Sequence, residues 1–429
     1  MFSGRGRGAP HMSLDLSILF GAVIAIVVVS SALFDYLRFP EAVLLPLIGI
    51  ILKYTVPISN PEALHSAMAS LGYPALAVIL FQMGLELDFR RLKNQAGRGF
   101  LLALFSFVLG AFLLYCAFSV GLDFRGPKAW ALAAALACTS SNIVIPYIAK
   151  AAPNQGLLDL FTTESAFSVI FSAIAALILS TSGGAGTLGD IVWTDKLLSL
   201  LIGGGAALLL GLLWLWILPF LAKRRLSYLL TLALVFLLMG VFNHFGGSGA
   251  FAVLVFALVL GNGGAIMDPM PAAVSGRFHN LPEGRDAVLS SMSDFHSWIL
   301  FFMRGLFFLY LGLLFEWPGS DLRIWLGIVI AGFAVVLGRD IAVQLSGWIG
   351  RVPGHDRSLL RIGTPRGLAA AVLVAVLVPW IGQGCWQTIA LAVVLISNIR
   401  TALGGIKFSR KQLPQISLPL HSDSRKEEP

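Results

Sequence analysis

ALAAALACTSSNIVIP, residues 131–146, and RIGTPRGLAAAV, residues 361–372, are the two stretches that decide the fold of this chain. The first stretch contains Cys138-Thr139-Ser140-Ser141-Asn142, which interrupts an apolar run and is followed by Pro146. The second contains Gly363-Thr364-Pro365-Arg366-Gly367, which directly precedes an apolar run. Small polar residues, Gly and Pro unwind helices, and unwound backbone at membrane depth is tolerated only where it lines a cavity or is buried in protein. Both stretches are therefore predicted to be broken helices inside a bundle.

The composition places these helices in a membrane. Hydrophobic residues make up 57% of the chain and charged residues 12%, with a mean hydropathy of +0.85, whereas a soluble domain needs a more charged surface. The alternating pattern of a membrane barrel is absent, so an all-α polytopic membrane protein is predicted. About thirteen apolar runs have roughly the 20 residues that span a bilayer. They centre on Ile24, Ile48, Leu76, Phe107, Ala135, Phe171, Leu208, Leu234, Val255, Leu306, Val329, Val372 and Val393.

The two breaks fall in the fifth and twelfth spans, which indicates an internal repeat. We expect a transmembrane domain over 13–408, with a first six-span repeat over 13–182, a linker helix over 194–222 and a second repeat over 225–408. The odd offset of seven spans inverts the second repeat in the membrane. Matched breaks in inverted repeats are typical of alternating-access transporters, whose site lies where the breaks cross. Each break taken alone fits ordinary helix packing equally well.

Charge sets the predicted orientation. Lys and Arg concentrate in the loops that are cytoplasmic if the N-terminus is outside, so we expect the N-terminus outside and the C-terminus inside. The minimal loops favour a multi-pass protein of the bacterial inner (plasma) membrane. The net charge of +8 then anchors the cytoplasmic leaflet, and nucleic-acid binding has no support. Residues 1–12 are predicted to be a flexible segment or tag, and residues 409–429 a disordered cytoplasmic tail. No cofactor, metal or enzyme motif is found.

The sixth span carries Glu164 at membrane depth, where a carboxylate is costly unless it is paired. It can be half of a structural ion pair in the bundle, or a cation or proton site.

Seven short motifs, in this order and on these spans, resemble the monovalent cation:proton antiporter superfamily, that is, the sodium/hydrogen exchanger-type membrane domain. They are Phe39-Pro40-Glu41-Ala42-Val43-Leu44, Gly84-Leu85-Glu86-Leu87-Asp88, Thr139-Ser140-Ser141-Asn142, Glu164-Ser165-Ala166-Phe167, Phe307-Phe308 with Gly312, Gly338-Arg339 and Thr364-Pro365-Arg366-Gly367. The resemblance implies a homodimer embedded in membrane lipid, a core bundle that moves against a scaffold, and exchange of Na⁺, K⁺ or Li⁺ for H⁺. A separate regulatory protein is a further candidate partner.

One departure from the family pattern concerns the ion site. In exchangers of this type an Asn-Asp or Asp-Asp pair follows the Phe, and its second carboxylate binds the cation and the proton in turn; here these positions hold Ser168 and Val169. Valine can bind neither ion. The resemblance also implies that Glu164 pairs with Arg339, which favours a structural role for Glu164.

The candidate ion-binding or transport core therefore consists of residues on four spans. They are Thr139, Ser140, Ser141, Asn142, Glu164, Ser165, Ser168, Val169, Arg339, Asp340, Thr364 and Arg366.

Two charged residues, Asp340 and Arg304, leave alternatives open. Asp340 either titrates in the core cavity or pairs with Arg366 or Arg400. Arg304 either pairs with a carboxylate or leaves a positive cavity suited to an anion or to repelling cations. Asp294 and His296 are expected on a solvated or amphipathic surface.

The predicted function is transport of the monovalent cation:proton antiporter type with a degenerate ion site. The alternative is a non-exchanging membrane sensor, channel-like or effector protein on the same scaffold. An organic-anion carrier on a ten-helix fold is disfavoured by the number of spans.

Overall fold

The computed structural model describes residues 21–412 except 22–23, 31, 34–39, 56–60, 88–94, 149–154, 181–187, 189–192, 222–226, 268–283, 351 and 353. Over these residues the chain is almost entirely helical and contains no strand. The helices are α1 (Glu41–Thr55), α2 (Pro61–Glu86), α3 (Ala96–Leu122), α4 (Pro127–Ala137), α5 (Ser141–Ile148), α6 (Gln155–Ser180), α7 (Trp193–Leu221), α8 (Ser227–His244), α9 (Gly249–Gly261), α10 (Gly263–Met267), α11 (Gly284–Leu313), α12 (Leu322–Ile349), α13 (Gly354–Ile362), α14 (Leu368–Ile381) and α15 (Trp386–Gln412).

The predicted all-α membrane architecture is confirmed. Among the described residues, seven helices are long and apolar enough to cross a membrane, and shorter apolar helices of 10–17 residues accompany them. Predicted spans two to thirteen all coincide with helices, and the first span, partly described, is helical over residues 24–30. The helix predicted over 194–222 is present as α7. Residues 1–12 and 413–429 lie outside the described residues, and α15 continues over 409–412, the start of the predicted tail.

Local sequence explains where several helices begin. Ser248 caps α9, since its hydroxyl accepts a hydrogen bond from the N–H of Phe251, and Asp321 caps α12 in the same way through the N–H of Arg323. At the start of α4, Pro127 occupies the first turn, where its missing N–H costs nothing.

The packing of the helices repeats with an internal two-fold relation. Besides the contact of α7 with α9, the most extensive contacts pair α3 with α12, α1 with α11, and α2 with α9. In span numbers these pairs are four with eleven, two with ten, and three with nine. When each span number is shifted by seven, the pair two–ten becomes the pair nine–three, and the pair four–eleven becomes itself. Inverted repeats require this relation.

Glycine allows the α1–α11 pair to approach closely. A Cβ at Gly49 would collide with the backbone of Leu309 and Gly312, and a Cβ at Gly312 would collide with the carbonyl oxygen of Pro46. Small residues at such crossings bring helix backbones into van der Waals contact, the main attraction between helices in lipid.

The two breaks cross each other, as predicted. Residues 138–140 separate α4 from α5, residues 363–367 separate α13 from α14, and the N–H of Ser140 donates to the carbonyl of Pro365 at 3.0 Å. The first break is shorter than predicted, because α5 already begins at Ser141 and Asn142 is helical. The hydroxyl of Ser165 accepts the N–H of Ser141 at 3.0 Å, which satisfies one of the free donors of a helix start.

Candidate functional site

Glu164 of α6 and Arg339 of α12 form a two-pronged ion pair beside the crossing. The Oε1 atom of Glu164 lies 2.5 Å from Nη1 of Arg339, its Oε2 atom lies 3.0 Å from Nη2, and the two side chains are 1% and 2% exposed. The arginine also donates to the carbonyl of Leu360 at 2.8 Å and to the hydroxyl of Ser106 at 3.1 Å. The contact predicted between Glu164 and Arg339 is therefore present. Because both carboxylate oxygens are engaged, Glu164 has the geometry of a structural ion pair.

Thr139 connects this ion pair to the first break. Its hydroxyl donates to Oε1 of Glu164 at 3.1 Å and lies 3.0 Å from the hydroxyl of Ser168, which also accepts the N–H of Thr139 at 2.9 Å. The hydroxyl of Ser165 donates to the carbonyl of Thr139 at 3.2 Å. The serines of α6 thus satisfy backbone groups that the unwound segment would otherwise leave buried without partners.

Val169 lines a small cavity at the crossing, hereafter the crossing cavity, of ≈ 50 Å³. Among the described residues, its walls contain no carboxylate and one charged group, Arg304 of α11. The lining residues are Ile79, Gln82, Met83, Thr139, Ser140, Asn142, Ile143, Ser165, Val169, Leu300, Arg304, Phe308, Leu368 and Ala369. The predicted residues Thr139, Ser140, Asn142, Ser165 and Val169 are therefore brought together around one space.

The predicted residues of the second break, Thr364 and Arg366, make hydrogen bonds to neighbouring helices. The guanidinium of Arg366 donates from Nη1 to the carbonyls of Ala137 at 3.1 Å and Cys138 at 3.0 Å, at the end of α4. A cation at a helix C-terminus is favourable there, because the last carbonyls carry partial negative charge. The N–H of Thr364 donates to the hydroxyl of Thr401 at 3.3 Å. Arg366 and Thr364 line neither the crossing cavity nor the cavity that adjoins it.

Asp340 pairs with Arg400 of α15 at 2.9 Å, one of the two partners considered for it. The two side chains are 41% and 23% exposed, for Asp340 and Arg400 respectively. Asp340 lines neither the crossing cavity nor the neighbouring one, so the structure does not bring it together with Thr139 and Val169. The side chains of Asp294 and His296 lie outside the described residues.

A second cavity of ≈ 120 Å³ adjoins the first and shares Asn142, Ile143 and Arg304 with it. Its remaining lining residues are Pro40, Glu41, Ala42, Pro146 and Tyr147. Here Nη1 of Arg304 lies 3.5 Å from Oε2 of Glu41, with side chains that are 30% and 12% exposed. Glu41, at the start of α1, and Gln82 of α2 were not among the predicted site residues. The signal for Glu41 was its place in the Phe39–Leu44 motif, and the signal for Gln82 was its spacing of four residues from Glu86, to which it donates at 2.6 Å.

Comparison with known proteins identifies the family of this chain. The family described as "Sodium/hydrogen exchanger, transmembrane" matches residues 21–404. Among curated proteins, the chain is 26% identical over 407 residues to the Na(+)/H(+) antiporter NhaH of Halobacillus aidingensis, covering 91% of this chain and 96% of that protein. It is 25% identical over 406 residues to the Na(+)/H(+) antiporter NhaH of Halobacillus dabanensis, with the same coverage.

Solved structures share the fold. The sodium proton antiporter MjNhaP1 of Methanocaldococcus jannaschii at pH 8 superposes with a TM-score of 0.71 and 17% identity, covering 92% of this chain and 100% of that one. An electron-microscopy structure of MjNhaP1 gives a TM-score of 0.65 and 18% identity, covering 96% and 100%. With a family match across most of the chain, crossed broken helices and the buried Glu164–Arg339 pair, this chain belongs to the sodium/hydrogen exchanger family of multi-pass membrane transporters.

Proposed function

We propose that the protein transports a monovalent cation, Na⁺ or K⁺, through the crossing of its broken helices, and that the transport is weakly coupled to protons or uncoupled from them. The observation that supports this proposal is the state of the two positions, 164 and 169, at which a carboxylate could carry exchange. Val169 lines the crossing cavity, at the position where the resemblance implies a carboxylate in exchangers, and both oxygens of Glu164 are engaged by Arg339.

Coupled exchange requires one site that holds either a cation or a proton. A ligand moves an equilibrium only by its difference in affinity between two states, so a site that cannot bind a proton cannot exchange it for a cation. In the described walls of the crossing cavity, the groups able to contact a cation are hydroxyl and amide oxygens, from Thr139, Ser165 and Asn142 among others. Such neutral oxygens can ligate a hard cation without titrating near neutral pH.

The competing function is a non-exchanging sensor, channel-like or effector protein on the transporter scaffold. Val169 favours this alternative as well, because losing the carboxylate removes exchange while leaving the ion pair and the helix crossing intact. Such a protein would show conformational responses to a partner protein or ligand without net cation movement.

Family membership supports several finer features of the proposal. We place the protein in the bacterial inner (plasma) membrane as a homodimer, with the N-terminus outside and the C-terminus in the cytoplasm, as the distribution of Lys and Arg suggests. The domain over 13–408, with repeats over 13–182 and 225–408, would then divide into a scaffold and a core that moves. A separate regulatory protein remains a proposed partner.

The test is ion flux in liposomes that contain the purified full-length chain. With an imposed pH gradient and Na⁺ or K⁺ added outside, we expect cation uptake above protein-free liposomes, with little dissipation of the pH gradient. Strong cation-dependent dissipation of the pH gradient would contradict weak coupling. Absence of cation uptake from well-folded protein would favour the sensor or effector function.

A further inference from the structure

The described walls of the crossing cavity supply neutral oxygens for a cation but no negative charge to balance it. Of its described lining residues, Arg304 carries a positive charge and none carries a carboxylate. A monovalent cation held by neutral oxygens beside a guanidinium would be desolvated and repelled at the same time. Cation transport through this cavity therefore needs a negative charge that the walls do not supply.

Glu41 contacts Arg304 through one guanidinium nitrogen. The contact joins Nη1 of Arg304 to Oε2 of Glu41 at 3.5 Å, beyond the usual length of a charge-assisted hydrogen bond. Glu41 lines the second cavity and is absent from the walls of the crossing cavity. A guanidinium has five N–H donors, and in the described structure this is the one acidic group that Arg304 contacts, so donors remain for a ligand in the crossing cavity.

Two further features of the same wall favour an anion. Leu368 and Ala369, which line the cavity, open the 14-residue helix α14, and its N-cap residue, Gly367, has no side chain that could cap the first N–H groups. The side-chain amide of Asn142, which lines both cavities, supplies another N–H donor. Guanidinium, amide and helix N-terminus are all groups that bind anions.

The size of the crossing cavity limits the ligand. A water molecule needs roughly 10–15 Å³ of such space, so ≈ 50 Å³ holds one small ion with a few water molecules. An organic anion is too large for this volume. The ligand chemistry that fits both charge and size is a monatomic anion.

We infer that a small monovalent anion such as chloride binds in the crossing cavity against Arg304 and supplies the negative charge that Val169 does not. The anion takes the electrostatic place of the exchanger carboxylate and lets neutral oxygens of the crossing hold a cation. Unlike a carboxylate, a halide takes up no proton near neutral pH. The charge of the bound anion therefore balances the cation during transport, and no proton is exchanged. The role in transport rests on the proposed function, whereas anion binding at Arg304 does not.

The binding test measures thermal unfolding of the full-length protein in detergent, with sodium chloride or bromide replaced stepwise by sodium gluconate at constant ionic strength. We expect halide to raise the midpoint temperature in a saturable way, because a ligand that binds only the folded state stabilises it. Arg304→Gln should weaken the apparent halide affinity by about tenfold or more, and Arg304→Lys should retain most of it. Arg400→Gln, which removes another arginine paired with a carboxylate, is the matched control and should leave halide affinity unchanged.

Glu41→Gln should change the apparent halide affinity in the direction opposite to Arg304→Gln. A gain in affinity cannot result from loss of folding. Removing the carboxylate that competes for Arg304 should tighten halide binding several-fold. Equal halide stabilisation of the wild type and of Arg304→Gln, or no saturable stabilisation of the wild type, would overturn the inference.

Cation flux in liposomes then separates this inference from the proposed function. We expect wild-type cation uptake to fall when gluconate replaces chloride on both sides, and Val169→Asp to make uptake independent of chloride. Uptake that is equal in chloride and gluconate, without halide stabilisation, supports cation transport and overturns the anion site. Halide stabilisation that depends on Arg304, with no cation uptake in any variant, supports the anion site and contradicts the proposed function.

Discussion

The backbone N–H of Ser140 donates a hydrogen bond to the carbonyl oxygen of Pro365, with 3.0 Å between nitrogen and oxygen, and this bond joins the two broken helices where they cross. Each break frees backbone groups at membrane depth, and each break supplies part of what the other lacks. Ser165 and Ser168 of α6 satisfy further backbone groups of the first break. The crossing is therefore a hydrogen-bonded unit, and its stability depends on residues that a sequence of apolar helices would not otherwise need.

Glu164→Gln should strongly destabilise the fold. It leaves the guanidinium of Arg339 buried without a countercharge, and breaking a buried pair from one side costs about 3–5 kcal/mol. The charge-swapped double variant, Glu164→Arg with Arg339→Glu, should be less damaging than Glu164→Gln alone. The measurement is the midpoint of thermal unfolding of purified protein. Asp340→Asn is the matched control on the same helix as Arg339, because its pair is partly exposed and should contribute at most about 1 kcal/mol.

Ser168→Ala should weaken the first break. The hydroxyl of Ser168 accepts the N–H of Thr139, and without it this buried donor has no acceptor, a loss of about 1–3 kcal/mol. Hydrogen exchange of the 138–140 segment should accelerate with it. Ser70→Ala serves as the control, since Ser70 is exposed and bonds only to its own helix; a similar loss of stability in both variants would show that the hydroxyl at 168 has no special role.

Gly367→Ala should strain the crossing. A Cβ at this position would collide with the side chain of Ser140, and overpacking of this kind costs about 1–3 kcal/mol. Removing the opposing side chain with Ser140→Gly in the same protein should recover much of the lost stability. If the double variant is no more stable than the sum of the two single changes predicts, the steric explanation is wrong.

Val169→Asp should move the protein toward proton-coupled exchange. The new carboxylate would stand on the wall of the crossing cavity and could hold a cation or a proton in turn. We expect cation-dependent dissipation of a pH gradient by this variant in liposomes, above the rate of the wild type. Val169→Asn introduces a side chain of nearly the same size as aspartate but without its charge, and it should behave as the wild type. Equal exchange by Val169→Asp and Val169→Asn would rule out the charge as the cause.

Sequence alone determined the solvent, the helices and the positions of both breaks. These properties are carried by consecutive residues: an apolar run of helical length spans lipid wherever it occurs, and Gly, Pro and small polar residues unwind the run that contains them, as at residues 138–140 and 363–367. The Glu164–Arg339 contact was also predicted, because a buried carboxylate needs a partner and the resemblance to a family named one. The end of the first break was misplaced, since its length depends on Ser165 of another helix.

Only the tertiary structure decided which charged side chain lines the cavity beside Val169. Val169 and Arg304 lie on α6 and α11, and nothing in either local sequence says that they line one cavity or that Glu41 of α1 holds Arg304 from the other side. Asp340, adjacent in sequence to Arg339, was a candidate for the core, but it pairs with Arg400 instead. Neighbouring residues on a helix point about 100° apart, so the role of each side chain is set by the helix packed against its face, and long-range packing is what a local pattern does not contain.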